Sequence, residues 1–478
     1  MVRRARIGSD ETDLRIEGGR IVEIGRGLRR SASERELDVG GGQVIPGLHD
    51  HHLHLLALVA ARRSVAVGPP QVRDPAGLAA ALAEAAAARP PGTWIRAVGY
   101  HQSVAGDLDR AALDRLVPRH PLRVQHRSGV LWVCNSPALA RLDAESAGTL
   151  PGVERDDAGR LTGRLWRMDT WLAGRLAGEA ATESAPGHPA QDLAQLSAAA
   201  AAVGVTGWTE ATADRSDRDT RLLARAVASG AVHQRLHLML PRTVAADVVN
   251  EAWSAGATTG PVKIVLDDPA LPPLDELAGV IGRAHSQRRP VAVHCVTRVQ
   301  LLLTMAALDE AGTTAGDRIE HGAVIPTEVL PRLARAGLTV VTQPNFVAER
   351  GDQYLAEVAP ADLPDLWRGQ SLIAAGVAVA AGSDAPFGSS DPWLAMRGAV
   401  RRRTASGVPL GPAEAVTPAT ALRWWCGSAT APARPRRLEP GAPADLVVLD
   451  GPLADVLASD EPVRAVATVI AGEVVEKE

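Results

Sequence analysis

From about residue 190 to residue 384 the chain alternates short apolar runs with helix-like runs, and this alternation restricts the fold more than any other feature. The apolar runs are Val205–Thr209, Gln234–Leu240, Val262–Leu266, Pro290–Cys295, Arg318–His321, Leu338–Gln343 and Val377–Asp384. Helical patterns at 191–203, 219–229, 274–289, 297–311, 326–336 and 367–375 precede or separate them. Strands that alternate with helices are joined by crossovers, and crossovers make them parallel. One more strand ends near His54, so the count is eight. Eight such units predict a closed, TIM-like (β/α)8 barrel of the α/β class, with its site at the C-terminal strand ends.

The strand ending near His54 carries the densest polar motif, Pro46-Gly47-Leu48-His49-Asp50-His51-His52-Leu53-His54. Side chains alternate faces along a strand, so His52 and His54 point the same way as Asp50, while His51 and Leu53 point the other way. Two imidazoles about 7 Å apart on a rigid strand can both close on one divalent cation. Partners stand where a shared site needs them. Lys263 lies on the fourth strand, His294 at the end of the fifth, His321 at the end of the sixth and Asp384 at the end of the eighth.

At 478 residues the chain exceeds one ordinary core, and its formal net charge of −4 is small for that length. Lys and Arg are dispersed rather than striped, which argues against a nucleic-acid surface and for a small-molecule partner. Cys134, Cys295 and Cys426 are far apart, without thiolate metal spacing or a disulfide framework, which fits a reducing cytoplasm. The first 25 residues lack the apolar core of a signal peptide, and no apolar run reaches membrane-spanning length. The expectation is a soluble cytoplasmic protein without a membrane partner, for which a homodimer is one assembly open to it.

The ends of the chain have a different texture. Asp13 to Gly25 reads as a hairpin around Gly18-Gly19, and Asp445–Leu449 with Ala465–Val475 repeats the pattern. Short hairpins are marginal alone, so 1–45 and 430–478 are expected to combine as one β-sandwich domain. The barrel then comprises 46–64 and 190–429. Residues 65–189 form an insertion after the first strand, expected to cap the catalytic rim. Tyr100, His101, His126, Arg127 and Trp132 are its candidate substrate residues, with Gln343 from the barrel, because a few polar groups beside an aromatic wall define a ligand pocket.

Several of these segments together resemble a known family. Pro-Gly-x-x-Asp-x-His-x-His, the late histidines, Gly382-Ser383-Asp384 and Ala442-Pro443-Ala444-Asp445-Leu446-Val447-Val448-Leu449 look like the amidohydrolase superfamily. Trp94 to Tyr100, Cys134-Asn135-Ser136-Pro137-Ala138-Leu139, Thr162-Gly163, Val262-Lys263-Ile264 and Arg318-Ile319-Glu320-His321-Gly322 resemble its amidohydrolase 3, or YtcJ-like, branch. The resemblance runs almost end to end.

It implies a metal-dependent hydrolase barrel with one or two divalent ions, zinc foremost. His52, His54, His294 and His321 would be imidazole ligands, Asp384 a ligand and general base, and Lys263 a carbamylated bridge between two metals. An unmodified Lys263 would instead pair with Asp267 or Asp268, leaving a mononuclear zinc site. The implied reaction is hydrolysis of a non-peptide C–N bond in an amide, formamide, cyclic amide or amidine, by hydroxide generated at the metal. Lactone or ester hydrolysis, metal-assisted decarboxylation, and a non-catalytic metal-stabilised binding protein are the alternatives. Two stretches depart from the branch. Arg127-Ser128-Gly129-Val130 replaces Asp-Gly-His, and Cys295-Val296-Thr297-Arg298-Val299 replaces a run that carries an acid.

Overall fold

A computed structural model describes residues 1–31, 34–148, 150–180 and 189–475. The chain divides into two compact units, Met1–Leu55 with Pro189–Glu478, and Leu56–His188. The helix Leu55–Arg62, placed with the barrel by the sequence boundaries, falls almost wholly in the second unit.

Eight parallel strands make the barrel of the first unit: β1 (Leu48–Leu53), β2 (Val205–Glu210), β3 (Arg235–Leu240), β4 (Thr258–Val265), β5 (Val291–Cys295), β6 (Arg318–His321), β7 (Thr339–Thr342) and β8 (Ala378–Ala381). Each pairs with the next in chain order. Parallel strands covered on both faces read as continuous apolar runs, and Val291, Ala292, Val293, Val340, Val341, Ala380 and Ala381 are all fully buried. Between β8 and β1 the closure is made just beyond the strand, where Asp384 N–H donates to His52 O and His54 N–H to Ala385 O, both at 2.8 Å.

All six residues of β1 are buried, four of them polar. Their polar groups therefore need partners. Asp50 accepts from the N–H of His52 (3.1 Å) and of Ser383 (3.0 Å), so it braces the seam instead of joining the histidines it was expected to face. His49 reaches Thr209 Oγ1 at 2.8 Å. Neither ring nitrogen of His51 has a partner among the described residues.

The chain ends share one eight-stranded sheet, in which Gln43–Pro46 pairs antiparallel with Leu446–Leu449. The sheet curls over a core of Val2, Leu14, Ile21, Val44, Leu446 and Val469, and Arg20 bridges to Pro443 across it. Gln43–Pro46 runs through Gly47 straight into β1, and buried Asp445 accepts from Arg235 at the start of β3 (2.6 Å) and from Arg436 (3.3 Å). The terminal sheet thus anchors the strand that bears the histidines.

The second unit is built on a six-stranded sheet with strand order Val153–Arg155, Leu161–Trp166, Leu131–Cys134, Leu122–His126, Ile95–Tyr100, Val65–Ala66. Asp74 caps the helix Pro75–Ala87 through Gly77 N at 2.8 Å, the cap the sequence predicts. Fully buried Asn135 ties the sheet together, accepting from Leu122 N and Ala138 N and donating to the carbonyls of Val117 and His120. Among the described residues, no helix in either unit is long and apolar enough to cross a membrane.

The seam between β8 and β1 leaves no room for a side chain at Gly382. An added Cβ would lie 2.5 Å from the backbone nitrogen of His52 and 2.9 Å from its Cα. Gly382→Ala is expected to cost about 1–3 kcal/mol of unfolding free energy in a urea titration, the usual range for overpacking a tight site. An unchanged midpoint would mean that the seam is slack.

Candidate metal centre

The register of β1 against β2 shifts between Asp50 and Leu53, where β1 spends one residue more than its neighbour. Such a bulge sharpens the local twist and re-aims side chains at a strand end. It delivers His52 and His54 to one place, with ring centroids 5.5 Å apart at 74°. Asp384 arrives from beyond β8 in the left-handed backbone region, φ +54°. Its Oδ1 lies 3.5 Å from His52 Nε2 and 3.3 Å from His54 Nε2. One ligand atom from each of these three residues falls within 4.8 Å of the other two.

His321, at the end of β6 with φ +69°, brings its ring to 4.7 Å from that of His52, and His294 at the end of β5 lies 4.4 Å from His321. Lys263 on β4 points its Nζ at His52 Nε2, 3.5 Å away. The Asp268 partner considered for Lys263 is engaged otherwise, accepting from Thr297 (3.0 Å) and Gln300 (2.8 Å). Every metal candidate named from the sequence therefore stands in one group.

The other nitrogen of each imidazole shows which one is free to bind. His52 Nδ1 faces the carboxylate of Glu320, His54 Nδ1 faces Thr212 Oγ1 at 2.9 Å, and His321 Nδ1 faces Gln343 Oε1 at 2.8 Å. A carboxylate and an amide oxygen can only accept, so Nδ1 carries the proton in His52 and His321 and the Nε2 lone pair is left for a ligand. Gln343, expected to touch substrate, is fully buried and serves His321 instead.

Burial pushes His52 and His321 well below the ordinary imidazole pKa, reinforced for His52 by Lys263 and for His321 by His294. Both are neutral at pH 7, the form that binds metal. Burial also brings Lys263 down to about 8, against the opposing pull of Glu320 and Asp384. Neutral imidazoles converging with a carboxylate suit a borderline cation such as Zn2+.

Glu320 and Arg318 complete the centre and were not assigned roles from the sequence. Arg318 Nη2 donates to Glu320 (3.1 Å) and to the carbonyl of His51 (2.7 Å), so one buried ion pair joins β6 to β1 behind His52. Their signal was present, since Arg-Ile-Glu-His in a strand puts Arg318 and Glu320 on one face. Glu210 was also missed. It accepts from Leu55 N at 2.6 Å and Thr212 N at 2.9 Å, fixing the turns beside His54 and Thr212.

The candidates in the second unit sit differently. Tyr100 and Trp132 are buried at 3% exposure, with Tyr100 Oη donating to Gly106 O (2.5 Å) and Trp132 Nε1 to Asp169 (2.8 Å). Arg96 and Arg123 lie over the Trp132 ring at 5.3 and 4.9 Å. Both aromatics pack in the hydrophobic clusters of that unit. His101 caps a short helix through Ser103 N, its ring 5.6 Å from that of His126. His126 Nε2 meets Gln102 Oε1 at 3.1 Å, and Arg127 N–H donates to Tyr100 O at 2.8 Å.

Imidazoles and a carboxylate converge at or just beyond the ends of β1, β6 and β8 of a parallel eight-stranded barrel, an arrangement suited to a metal-dependent hydrolase. The chain belongs to the amidohydrolase family, whose sequence profile matches residues 35–476. It is 27% identical to an N-substituted formamide deformylase from Arthrobacter pascens, over 91% of this chain and 89% of that one. YtcJ of Bacillus subtilis (strain 168), named as an amidohydrolase, is 24% identical over 78% and 76%. The fold of the present chain is shared with an uncharacterized metal-dependent hydrolase from Pyrococcus horikoshii OT3, with a TM-score of 0.70 at 18% identity, covering 95% of this chain and 97% of that one.

Replacing Glu320 by Gln removes the carboxylate that orients His52 and leaves Arg318 without its buried counter-charge. Partners of this kind are worth roughly 10–100-fold in metal affinity. Glu320→Gln is expected to weaken Zn2+ binding by about that factor in a chelator competition assay. Parental affinity in a folded variant would remove Glu320 from the centre.

Proposed function

We propose that this protein hydrolyses a non-peptide C–N bond in an N-substituted formamide or a related amide, cyclic amide or amidine. The observation that carries the reading is the convergence of His52, His54 and Asp384, each offering a ligand atom within 4.8 Å of the others. His321 and His294 complete the imidazole set, and the similarity to a formamide deformylase over most of both chains favours the C–N bond.

A bound divalent cation, zinc foremost, would supply Lewis acidity, acidifying water and polarising the scissile carbonyl. The chain's own groups do the rest. Asp384 takes the proton from the attacking water as its oxygen bonds to the carbonyl carbon, then delivers that proton to the nitrogen as the C–N bond breaks. For a formamide the products are formate and an amine. Glu320, Thr212 and Gln343 hold His52, His54 and His321 with their Nε2 atoms inward throughout.

Lys263 enters as a second proposal within this site. Its amine, brought down to about 8 by burial, is partly neutral near physiological pH, and only a neutral amine adds carbon dioxide to form a carbamate. The carbamate would replace a repelling cation by an anion between two metals.

Asp384→Asn is expected to keep its metal while kcat on a panel of N-alkylformamides falls by roughly 10²–10⁴, the range for losing a general base. A parent protein that holds metal yet turns over no amide, formamide or amidine would overturn the reading. Lys263→Ala is expected to bind about half the metal of the parent by elemental analysis, since the bridge supplies one shared ligand. Equal stoichiometry in the two would refute the carbamate.

A further inference from the structure

One helix outside the ligand set reaches the loop that carries Asp384 from both ends. The connection after β7 begins with Gln343, already engaged with His321, and continues into the helix Asn345–Glu357. Fully buried Asn345 donates from Nδ2 to Ser383 O at 3.1 Å, immediately before Asp384. The same Nδ2 donates to Glu349 Oε1 at 3.1 Å, one helical turn on. Glu349 then accepts from Ser389 N–H, at 3.0 Å through Oε1 and 3.2 Å through Oε2. Arg350 donates to Phe387 O and lies 4.2 Å over the ring of Phe346.

Between these anchors the loop turns tightly, with Phe387 N–H (2.8 Å) and Gly388 N–H (3.2 Å) both donating to Asp384 O. Gly388 is packed so closely that a Cβ there would lie 2.2 Å from Asn345 Nδ2 and 2.6 Å from Ser383 O. A non-glycine residue in the left-handed region, such as Asp384 at φ +54°, persists only where its surroundings hold it. Asn345 and Glu349 bond the two flanks of the turn from the helix, and Arg350 bonds its middle at Phe387 O. Partial burial raises the pKa of Glu349, and the Ser389 N–H and Asn345 amide oppose that rise.

We propose that Asn345 and Glu349 are positioning residues for Asp384, clamping residues 383–389 so that its carboxylate meets the Nε2 atoms of His52 and His54. The proposal rests on the reading of Asp384 as a metal ligand and base. The connection after β7 and the helix it enters then hold two members of the centre at once, His321 through Gln343 and Asp384 through the clamp.

The test titrates Co2+ into the metal-free parent, Glu349→Ala, Glu349→Gln, Asn345→Ala and Asp384→Asn, following the visible absorption band, with amide hydrogen exchange on the same proteins. Glu349→Ala and Asn345→Ala should bind Co2+ about tenfold more weakly, as expected for partners that orient a ligand, with the band displaced toward that of Asp384→Asn. Exchange should accelerate in 383–391 and stay parental in the barrel strands. Glu349→Gln keeps an oxygen able to accept from both Asn345 and Ser389, so it should rescue affinity and exchange together. Parental Co2+ binding in Glu349→Ala beside an altered Asp384→Asn would overturn this proposal alone. So would accelerated exchange throughout the barrel, or a loss in Glu349→Gln equal to that in Glu349→Ala. Asp384→Asn that binds Co2+ like the parent would overturn the reading of Asp384 and this proposal with it.

Discussion

The hydrogen bond from Asp384 N–H to His52 O, 2.8 Å long, joins the last stretch of the barrel to the first, and its two residues are both members of the proposed metal site. Closure and site geometry are therefore one constraint. The companion bond from His54 N–H to Ala385 O repeats the arrangement one step along, so the spacing of imidazole and carboxylate is set by backbone rather than by flexible side chains. Left-handed backbone at Asp384 and at His321 is of the kind that costs on the order of 1–3 kcal/mol per residue. That cost falls at the ends of β6 and β8, where the chain must turn a donor inward at once.

Burial then decides which chemical forms are present. A charged imidazole is penalised out of water, so buried His52 and His321, pushed well below the ordinary imidazole range, stay neutral and present lone pairs. The anionic counterpart is Glu320, which has zero exposure and is held by Arg318. Removing one member of such a pair leaves an uncompensated buried charge, so β1 and β6 are tied by a bond that tolerates little change. Arg318 also grips the carbonyl of His51, and the same guanidinium thus supports both the ring and the backbone beside His52.

Much of this could be read from the sequence because parallel strands of a barrel are short apolar runs that end in their functional residue. His52, His54, Lys263, His294, His321 and Asp384 each stand at or near such an end. What escaped reading depends on contacts far apart in sequence. Strand alternation places Asp50 on the face of His52 and His54, whereas its carboxylate is taken by the Ser383 N–H across the seam, 333 positions away. The helix Asn345–Glu357 escapes the pattern, since its buried apolar residues, Phe346 and Val347, come at its start and the next apolar contact, Tyr354, follows only after a polar run. The expected helix 326–336 begins as a 3-10 turn, Thr327–Val329, and continues as Leu330–Arg335, with Pro331 in the first turn where its missing N–H costs nothing. For Tyr100 and Trp132 the sequence alone does not show the packing that encloses each ring within its own unit.

The two departures from the family pattern have local physical explanations. Where the acid is missing after His294, Thr297 caps the next helix and forms a reciprocal capping box with Gln300, while Arg298 reaches Asp362 at 2.6 Å and Asp365 at 3.0 Å. That loop is organised by a helix start and an ion pair instead of by a carboxylate beside His294. In the other stretch, His126 and Ser128 close a turn on each other, with Gly129 at φ +78°. The four histidines at 49, 51, 52 and 54, three in β1 and one just beyond it, divide in the same spirit. His52 and His54 face Asp384, whereas His49 and His51 stack on each other at 4.5 Å on the opposite face of the strand. Histidine density by itself could not separate the pairs. The period of two along the strand does, and it leaves the metal site with the pair that the Glu320 carboxylate and the Thr212 hydroxyl are placed to orient.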